Sequence, residues 1–97
     1  TDIRNSRVID LVKEFNSFNC NVDVYDPWAD KKEVQYEYNI LPIDIPEQGY
    51  YDAIVLAVSH AEFKEIGAEK LRKFGKQNHV LYDIKYILSS NEVDGRL

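Results

Sequence analysis

The sequence predicts an α/β fold with a mainly parallel sheet, and three observations support this prediction. Helical and strand patterns alternate along the 97 residues in the order helix, strand, helix, strand, helix, strand. Residues 53–58 are six consecutive apolar residues, which is typical of a strand covered by helices on both faces. Polar or charged residues follow each strand pattern, as at the ligand-binding edge of an open α/β sheet. We therefore expect three layers, with the sheet between two layers of helices.

The first pattern is helical and covers residues 6–18. Apolar residues at Val8, Val12 and Phe15 recur at helical spacing, and Asn19 is a suitable stop. In an alternating α/β fold a helix follows a strand, so we expect that a first strand is missing from this fragment. The sheet would then have a vacant edge, and such edges favour association into dimers or larger species.

The next pattern is a short strand over residues 20–25, where apolar and polar side chains alternate. Pro27 ends it, because proline donates no backbone hydrogen bond. Asp30 can cap a second helix that extends to about residue 38. Residues 40–45 contain Pro42 and are followed by Pro46, and they are predicted to form an irregular or edge segment.

The second half of the chain predicts a strand–helix–strand unit. Residues 53–58 are predicted to form a central strand of the sheet. A helix is predicted over residues 61–74, with a break near Gly67 and an end at Gly75. Residues 79–82 are predicted to form the last strand. The remainder of the chain is only weakly patterned.

Composition excludes several classes of protein. The net charge of −5 argues against a nucleic acid or an anionic membrane as partner, because no basic excess is present to neutralise phosphates. The single cysteine, Cys20, cannot form an internal disulfide and is interpreted as a small buried apolar residue. The sequence has no signal peptide and no apolar run long enough to span a membrane. We predict one cytoplasmic domain over residues 1–97.

The candidate binding residues are basic and lie at the predicted strand ends. Arg4 precedes the first helix and Lys85 follows the last strand, so both are expected at the edge of the sheet where ligands bind. A guanidinium and an ammonium group there could bind a diphosphate. The alternatives are ordinary surface roles: Arg4 could pair with Asp2 or Asp83, and Lys85 could be a solvated lysine.

The other reactive side chains have more ordinary explanations. His60 could act as a base after a core strand, although capping the next helix or bonding its neighbours is the favoured interpretation. Trp28 could stack on a ligand, although packing against the sheet edge is the default. The sequence contains no glycine-rich dinucleotide motif, no cluster of metal ligands and no nucleophile–base pair at a telling spacing. No catalytic residue and no metal site is therefore assigned.

An ordered set of short motifs resembles the C-terminal UDP-binding domain of the UDP-glucose/GDP-mannose dehydrogenase family, and it covers nearly the whole chain. The motifs, in order, are Asp2-Ile3-Arg4-Asn5-Ser6, Val24-Tyr25-Asp26-Pro27-Trp28, Asp52-Ala53-Ile54-Val55-Leu56-Ala57-Val58-Ser59-His60 with Phe63, and Tyr82-Asp83-Ile84-Lys85. The resemblance implies a Rossmann-like form of the predicted fold. No single motif is specific, but the ordered set is.

The resemblance implies a role for each basic residue. Arg4 matches the arginine that reaches the pyrophosphate of NAD, and Lys85 matches the basic residue that contacts the UDP-sugar. Asp2 and Asp83 would orient these groups or cap backbone. In the family the full enzyme, which is expected to be a homo-oligomer, oxidises the sugar C6 hydroxyl to a carboxylate in two NAD-dependent steps. NAD is bound mainly by an N-terminal domain, and the catalytic cysteine lies in a central region, so the isolated fragment should be inactive.

Two motifs indicate a subfamily. The chain has Val58-Ser59-His60 and Asp83-Ile84-Lys85 where UDP-glucose enzymes usually have a Thr-Glu-Trp-like stretch and Asp-Gly-Arg. It is therefore most similar to the UDP-N-acetylhexosamine 6-dehydrogenases, including the Vi-polysaccharide type, with glucosamine or galactosamine as the sugar. Two alternatives stay open, a UDP-glucose 6-dehydrogenase domain and a non-catalytic α/β nucleotide-binding module.

Overall fold

A computed structural model describes residues 6–28 and 30–96, apart from the side chains at 6, 37 and 38. The chain divides into two compact units, Thr1–Pro46 and Glu47–Leu97. The described residues of the first unit contain two helices, and those of the second unit contain a helix and a three-stranded sheet.

Helix α1 of the first unit comprises Ser6–Ser17, close to the predicted range. Asn19 ends it in the left-handed conformation, with φ of 63°. The amide of Cys20 donates to the carbonyl of Phe15 at 3.1 Å, which satisfies one of the open carbonyl groups at the end of the helix. Ile9 and Val12 are buried and define the apolar face of α1.

Helix α2 comprises Lys31–Tyr38, and both of its ends are locally encoded. The carboxylate of Asp30 accepts the backbone amide of Glu33 at 3.1 Å, as the sequence predicted for an N-cap. Asn39 ends the helix in the left-handed conformation, with its amide bonded to the carbonyl of Gln35. Val34 is only 1% exposed and provides a buried apolar contact of α2.

The strand predicted over residues 20–25 is wrong, since these residues form no strand in the structure. The carbonyl of Val24 accepts the amide of Ile43 at 2.8 Å, but no ladder of strand pairs forms among the described residues of the first unit. A strand needs a neighbour to satisfy its backbone groups, and residues 40–45 are irregular as predicted. Cys20 is exposed, so its interpretation as a small buried apolar residue is wrong.

The second unit contains a parallel β–α–β unit, which confirms the predicted fold class. Strand β1 comprises Tyr51–Leu56, helix α3 Ala61–Arg72 and strand β2 Gly75–Asp83. The two strands pair in parallel, with Ala53 opposite Val80 and Leu56 opposite Asp83. After a short 3₁₀ turn at Ser90–Glu92, strand β3 at Gly95–Arg96 pairs in parallel with the other side of β2.

Among the described residues the strand order is β1-β2-β3, so β1 does not occupy the central position predicted for it. The apolar run was expected to form a central strand, whereas β1 lies at the edge of this sheet and β2 lies at its centre. Asp52 and Ala53 are exposed, and Leu56 is the buried residue of β1. The prediction failed because an apolar run indicates burial without specifying which strands will pair.

The core of the second unit lies between the sheet and α3. Its buried members are Leu56, Ala68, Leu71, Leu81 and Leu88. Leu81 is fully buried at the centre of β2. This packing holds α3 and the loop after β2 against the sheet, and so fixes the edge where the strands end.

Glycine is needed at two positions in this unit for different structural reasons. Gly67 interrupts α3 with φ of 81°, which confirms the predicted break, since few other residues adopt this conformation without strain. Gly75 was predicted to end the helix, but α3 ends at Arg72 and Gly75 begins β2. A Cβ at Gly75 would lie 2.3 Å from the ring of His79, so close approach of that ring excludes a side chain here.

Candidate functional site

The carboxyl ends of β1 and β2 meet at one edge of the sheet in the second unit. Leu56 lies opposite Asp83, and the amide of Ile84 donates to the carbonyl of Leu56 at 3.0 Å, one step beyond the strand pair. The segment after β1, which contains Ser59 and His60, therefore leaves the sheet at the same edge as the segment after β2. This confirms the predicted convergence of these two segments.

Asp83 anchors the loop that follows β2. Its side chain is fully buried, with one carboxylate oxygen accepting the amide of Lys85 at 3.1 Å and the other accepting the amide of Leu88 at 2.8 Å. A buried carboxylate needs such donors to compensate for lost hydration. The expectation that Asp83 caps backbone is confirmed, and one of its two bonds holds the backbone of the predicted binding residue Lys85.

Lys85 itself is exposed at the strand-end edge. No carboxylate among the described residues pairs with it, whereas Lys31, Arg72 and Lys76 each pair with an aspartate. An ammonium group without an acidic partner, on a backbone held at two points, can attract and orient an anion.

The residue after Lys85 has an unusual backbone conformation. Tyr86 has φ of 56°, and its side chain is 58% exposed. A sparsely populated backbone conformation costs a bulky residue of order 1–3 kcal/mol. Residues in such conformations cluster at functional sites. The two amides that bond to Asp83, those of Lys85 and Leu88, lie on either side of Tyr86 in sequence.

Arg96 is a basic residue of this edge that the sequence analysis missed. It lies on β3 opposite Asp83, and its Cζ atom lies 4.0 Å from the centre of the Tyr86 ring. A two-residue strand has too few positions to show a period, and the end of the chain was only weakly patterned. The one available signal was an arginine close to the end of an acidic chain.

A match to a family profile identifies the domain that contains this edge of the sheet. The profile of the UDP-glucose/GDP-mannose dehydrogenase family, UDP binding domain, matches residues 1–90. The chain belongs to this family. The match includes Lys85 and Tyr86, while Arg96 lies beyond it.

Curated relatives agree with the family assignment. Two proteins named UDP-N-acetyl-D-glucosamine 6-dehydrogenase, from Salmonella typhi and Pseudomonas aeruginosa, are 51% and 50% identical over 96 residues. Protein CapL of Staphylococcus aureus is 31% identical over 93 residues. The matches cover 99%, 99% and 96% of this chain but 23%, 23% and 22% of the relatives, so the chain spans about a quarter of their length. No solved structure was found to match the chain.

Other residues that the sequence analysis considered are placed elsewhere in this UDP-binding domain. Arg4 lies outside the described residues, so the structure does not test it. Asp26 and Trp28 belong to the first unit, where the Trp28 amide donates to the buried carboxylate of Asp26 at 2.8 Å. Trp28 is 61% exposed, and the described residues of its unit form no sheet edge against which it could pack.

His60 stands at the N-cap position of α3 in the UDP-binding domain, but the capping bond that the sequence favoured for its side chain is not formed. Its ring packs edge-on against Phe63, with ring centres 5.6 Å apart. Within the described ranges 6–28 and 30–96, no group of three or more metal-binding side chains occurs. The same residues include no helix long and apolar enough to cross a membrane.

A separate polar cluster ties the end of the chain to α3. Asp94 accepts a hydrogen bond from Arg72 at 2.9 Å and from the amide of Leu81 at 2.8 Å. The bond from Arg72 is the largest cause of a lowered pKa at Asp94, followed by the bond from Leu81. The cluster fixes the residue just before β3, and thereby the approach of Arg96 to the strand-end edge.

Proposed function

We propose that this chain is the C-terminal UDP-sugar-binding domain of an NAD-dependent UDP-N-acetyl-D-hexosamine 6-dehydrogenase. The observation that carries the proposal is 51% identity, over 99% of the chain, to a UDP-N-acetyl-D-glucosamine 6-dehydrogenase. The enzyme oxidises the C6 hydroxyl of the sugar to a uronate, which serves surface polysaccharide synthesis. Residues 1–97 act as one domain within a cytoplasmic homo-oligomer.

Lys85 binds the diphosphate of the UDP-sugar in this proposal. Its support is the exposed ammonium group without an acidic partner among the described residues, on a loop that Asp83 anchors. A diphosphate carries negative charge on several oxygens, so a cation here offsets its loss of hydration. Arg4 contacts the pyrophosphate of NAD, a role that rests on the family resemblance alone. No residue of this chain performs the chemistry.

The reaction defines the first experiment. Oxidation of a primary alcohol to a carboxylate removes two hydrides, so each sugar yields two NADH. The protein that contains this chain is assayed with NAD in excess and with UDP-N-acetylglucosamine, UDP-N-acetylgalactosamine, UDP-N-acetylmannosamine or UDP-glucose. Two NADH per molecule of one N-acetylhexosamine substrate are expected, with glucosamine or galactosamine as that sugar.

Other results would change the proposal. Activity with UDP-glucose alone would retain the family and make the protein a UDP-glucose 6-dehydrogenase. Binding of UDP without NADH from any sugar would indicate a non-catalytic nucleotide-binding module. Lys85→Arg adds the specificity test, because UDP-glucose enzymes usually have arginine here: retained or improved use of UDP-glucose by this variant would favour the UDP-glucose alternative.

Lys85→Gln separates substrate binding from cofactor binding. Loss of one charge–phosphate contact raises KM for the UDP-sugar about tenfold or more and leaves KM for NAD unchanged. Arg4→Gln is expected to do the reverse. Equal changes in both KM values for either variant would contradict the assigned contact.

A further inference from the structure

The backbone contacts of Arg96 place it at the strand-end edge of the sheet. Its strand pairs with β2 so that Arg96 lies opposite Asp83, two residues before Lys85. Its carbonyl accepts a hydrogen bond from the hydroxyl of Tyr82 at 3.1 Å. The preceding Gly95 is needed for this approach, since a Cβ there would lie 2.6 Å from the Tyr82 ring. Arg96 is thus held at the same edge as Lys85.

The side chain of Arg96 is also held in place. Its guanidinium lies over the Tyr86 ring, with Cζ 4.0 Å from the ring centre, a favourable cation–π distance. Tyr86 makes this contact from a left-handed backbone conformation, with φ of 56°. An arginine that serves only for solubility would not require a strained aromatic residue beneath it, so this arrangement favours a binding role.

The polar groups of Arg96 are incompletely satisfied. Its Nε atom is buried and has no hydrogen-bond partner among the described residues. No carboxylate in ranges 6–28 and 30–96 pairs with its guanidinium, although Arg72 of the same unit pairs with Asp94 at 2.9 Å. A buried N–H group without an acceptor is rare in native proteins and calls for an explanation such as an absent ligand. An anion would supply the acceptors.

We propose that Arg96 is a second phosphate-binding residue of the nucleotide-sugar site and that Tyr86 is its positioning residue. The inference rests on the proposed function, because it uses the same ligand. The N–H groups of a guanidinium lie around its perimeter, so stacking on Tyr86 leaves them available for two phosphate oxygens. Lys85 and Arg96 then bind the diphosphate from neighbouring strand ends, and two cations distinguish UDP from UMP.

Calorimetric titration of the complete protein with UDP, UMP and uridine tests this assignment. Arg96→Gln is expected to weaken UDP binding about tenfold or more, UMP binding less, and uridine binding not at all. Tyr86→Leu removes the ring beneath the guanidinium and gives a smaller loss with the same ranking, whereas Tyr86→Phe keeps the ring and binds like the wild type. Lys76→Gln is the control, since Lys76 lies at the opposite end of β2 in an exposed ion pair with Asp52, and it should leave the UDP-to-uridine affinity ratio unchanged.

The outcomes separate the two proposals. Failure of the wild-type protein to bind UDP would overturn the proposed function and this inference with it. UDP binding by the wild type, with unchanged affinity in Arg96→Gln, would overturn only the inference. An equal loss of UDP and uridine affinity in Arg96→Gln would assign Arg96 a structural role and would also overturn it, because a phosphate contact cannot affect uridine.

Discussion

The two units of this chain contain the same local hydrogen-bonded turn in different surroundings. Asp26 in the first unit and Asp83 in the second are both buried, and each accepts the amide two residues ahead, at 2.8 Å from Trp28 and 3.1 Å from Lys85. Asp83 ends a nine-residue strand, whereas Asp26 follows a segment that forms no strand. The turn is therefore encoded by a few adjacent residues, while the strand depends on a partner.

This difference indicates which interactions stabilise each unit. In the second unit the strand pairs and the apolar core support one another, so removal of one buried side chain affects the whole sheet. In the described part of the first unit, helices satisfy their backbone groups internally, and their caps matter more. The following substitutions test this contrast, from the largest expected effect to the smallest.

Leu81→Ala should have the largest effect. Leu81 is fully buried in the central strand, and truncation of such a leucine leaves a cavity and costs about 2–5 kcal/mol. Urea unfolding of the chain measures the loss. Val80→Ala on the same strand is the control, because Val80 is 47% exposed and its truncation should cost less than about 1 kcal/mol. Equal effects at both positions would show that the sheet lacks a core centred on β2.

Asp83→Asn should have the next largest effect. An amide nitrogen cannot accept a hydrogen bond, so either the Lys85 or the Leu88 amide loses its partner, at a cost of about 1–3 kcal/mol. Thermal unfolding measures the change. Asp52→Asn is the control, since Asp52 forms only an exposed ion pair with Lys76, worth about 0–1 kcal/mol. If Asp83→Asn proved as mild as its control, Asp83 would not anchor the loop.

Asp30→Ala tests the first unit. Asp30 caps α2 through the Glu33 amide, and loss of an N-cap costs about 0.5–2 kcal/mol. Circular dichroism during thermal unfolding measures the effect. Lys32→Ala changes an exposed position within the same helix and should alter stability by no more than about 0.5 kcal/mol. If Asp30→Ala left the stability unchanged, tertiary packing alone would hold α2.

Asp94→Asn should have the smallest effect and the clearest dependence on pH. Because folding lowers the pKa of Asp94, its contribution is present above the usual pKa of an aspartate and is lost as pH falls through the lower folded value. The difference in unfolding free energy between wild type and Asp94→Asn is therefore expected at pH 7 and should shrink below about pH 4. The difference should also shrink in an Arg72→Gln background, since the hydrogen bond from Arg72 is the main cause of the lowered pKa of Asp94. A difference independent of pH would contradict the ion pair.

The candidate site divides in the same way as the fold. Lys85 could be chosen from sequence because it follows a strand pattern and an aspartate, both of which are local signals. Arg96 and Tyr86 could not, since their contact joins residues ten positions apart through a two-residue strand. Arg4 stays a prediction, because it lies outside the described residues.

The sequence by itself determined the local features of this protein: the end of α1 at Asn19, the cap of α2 at Asp30, the break in α3 at Gly67, and the family. Each of these depends on side chains and backbone within a few residues, or on ordered motifs. Only the tertiary structure decided that residues 20–25 form no strand, that β1 lies at an edge, and that Arg96 joins Lys85 at the strand ends. Strand partners come from distant parts of the chain, and an apolar pattern indicates that a segment will be buried without indicating what it will contact.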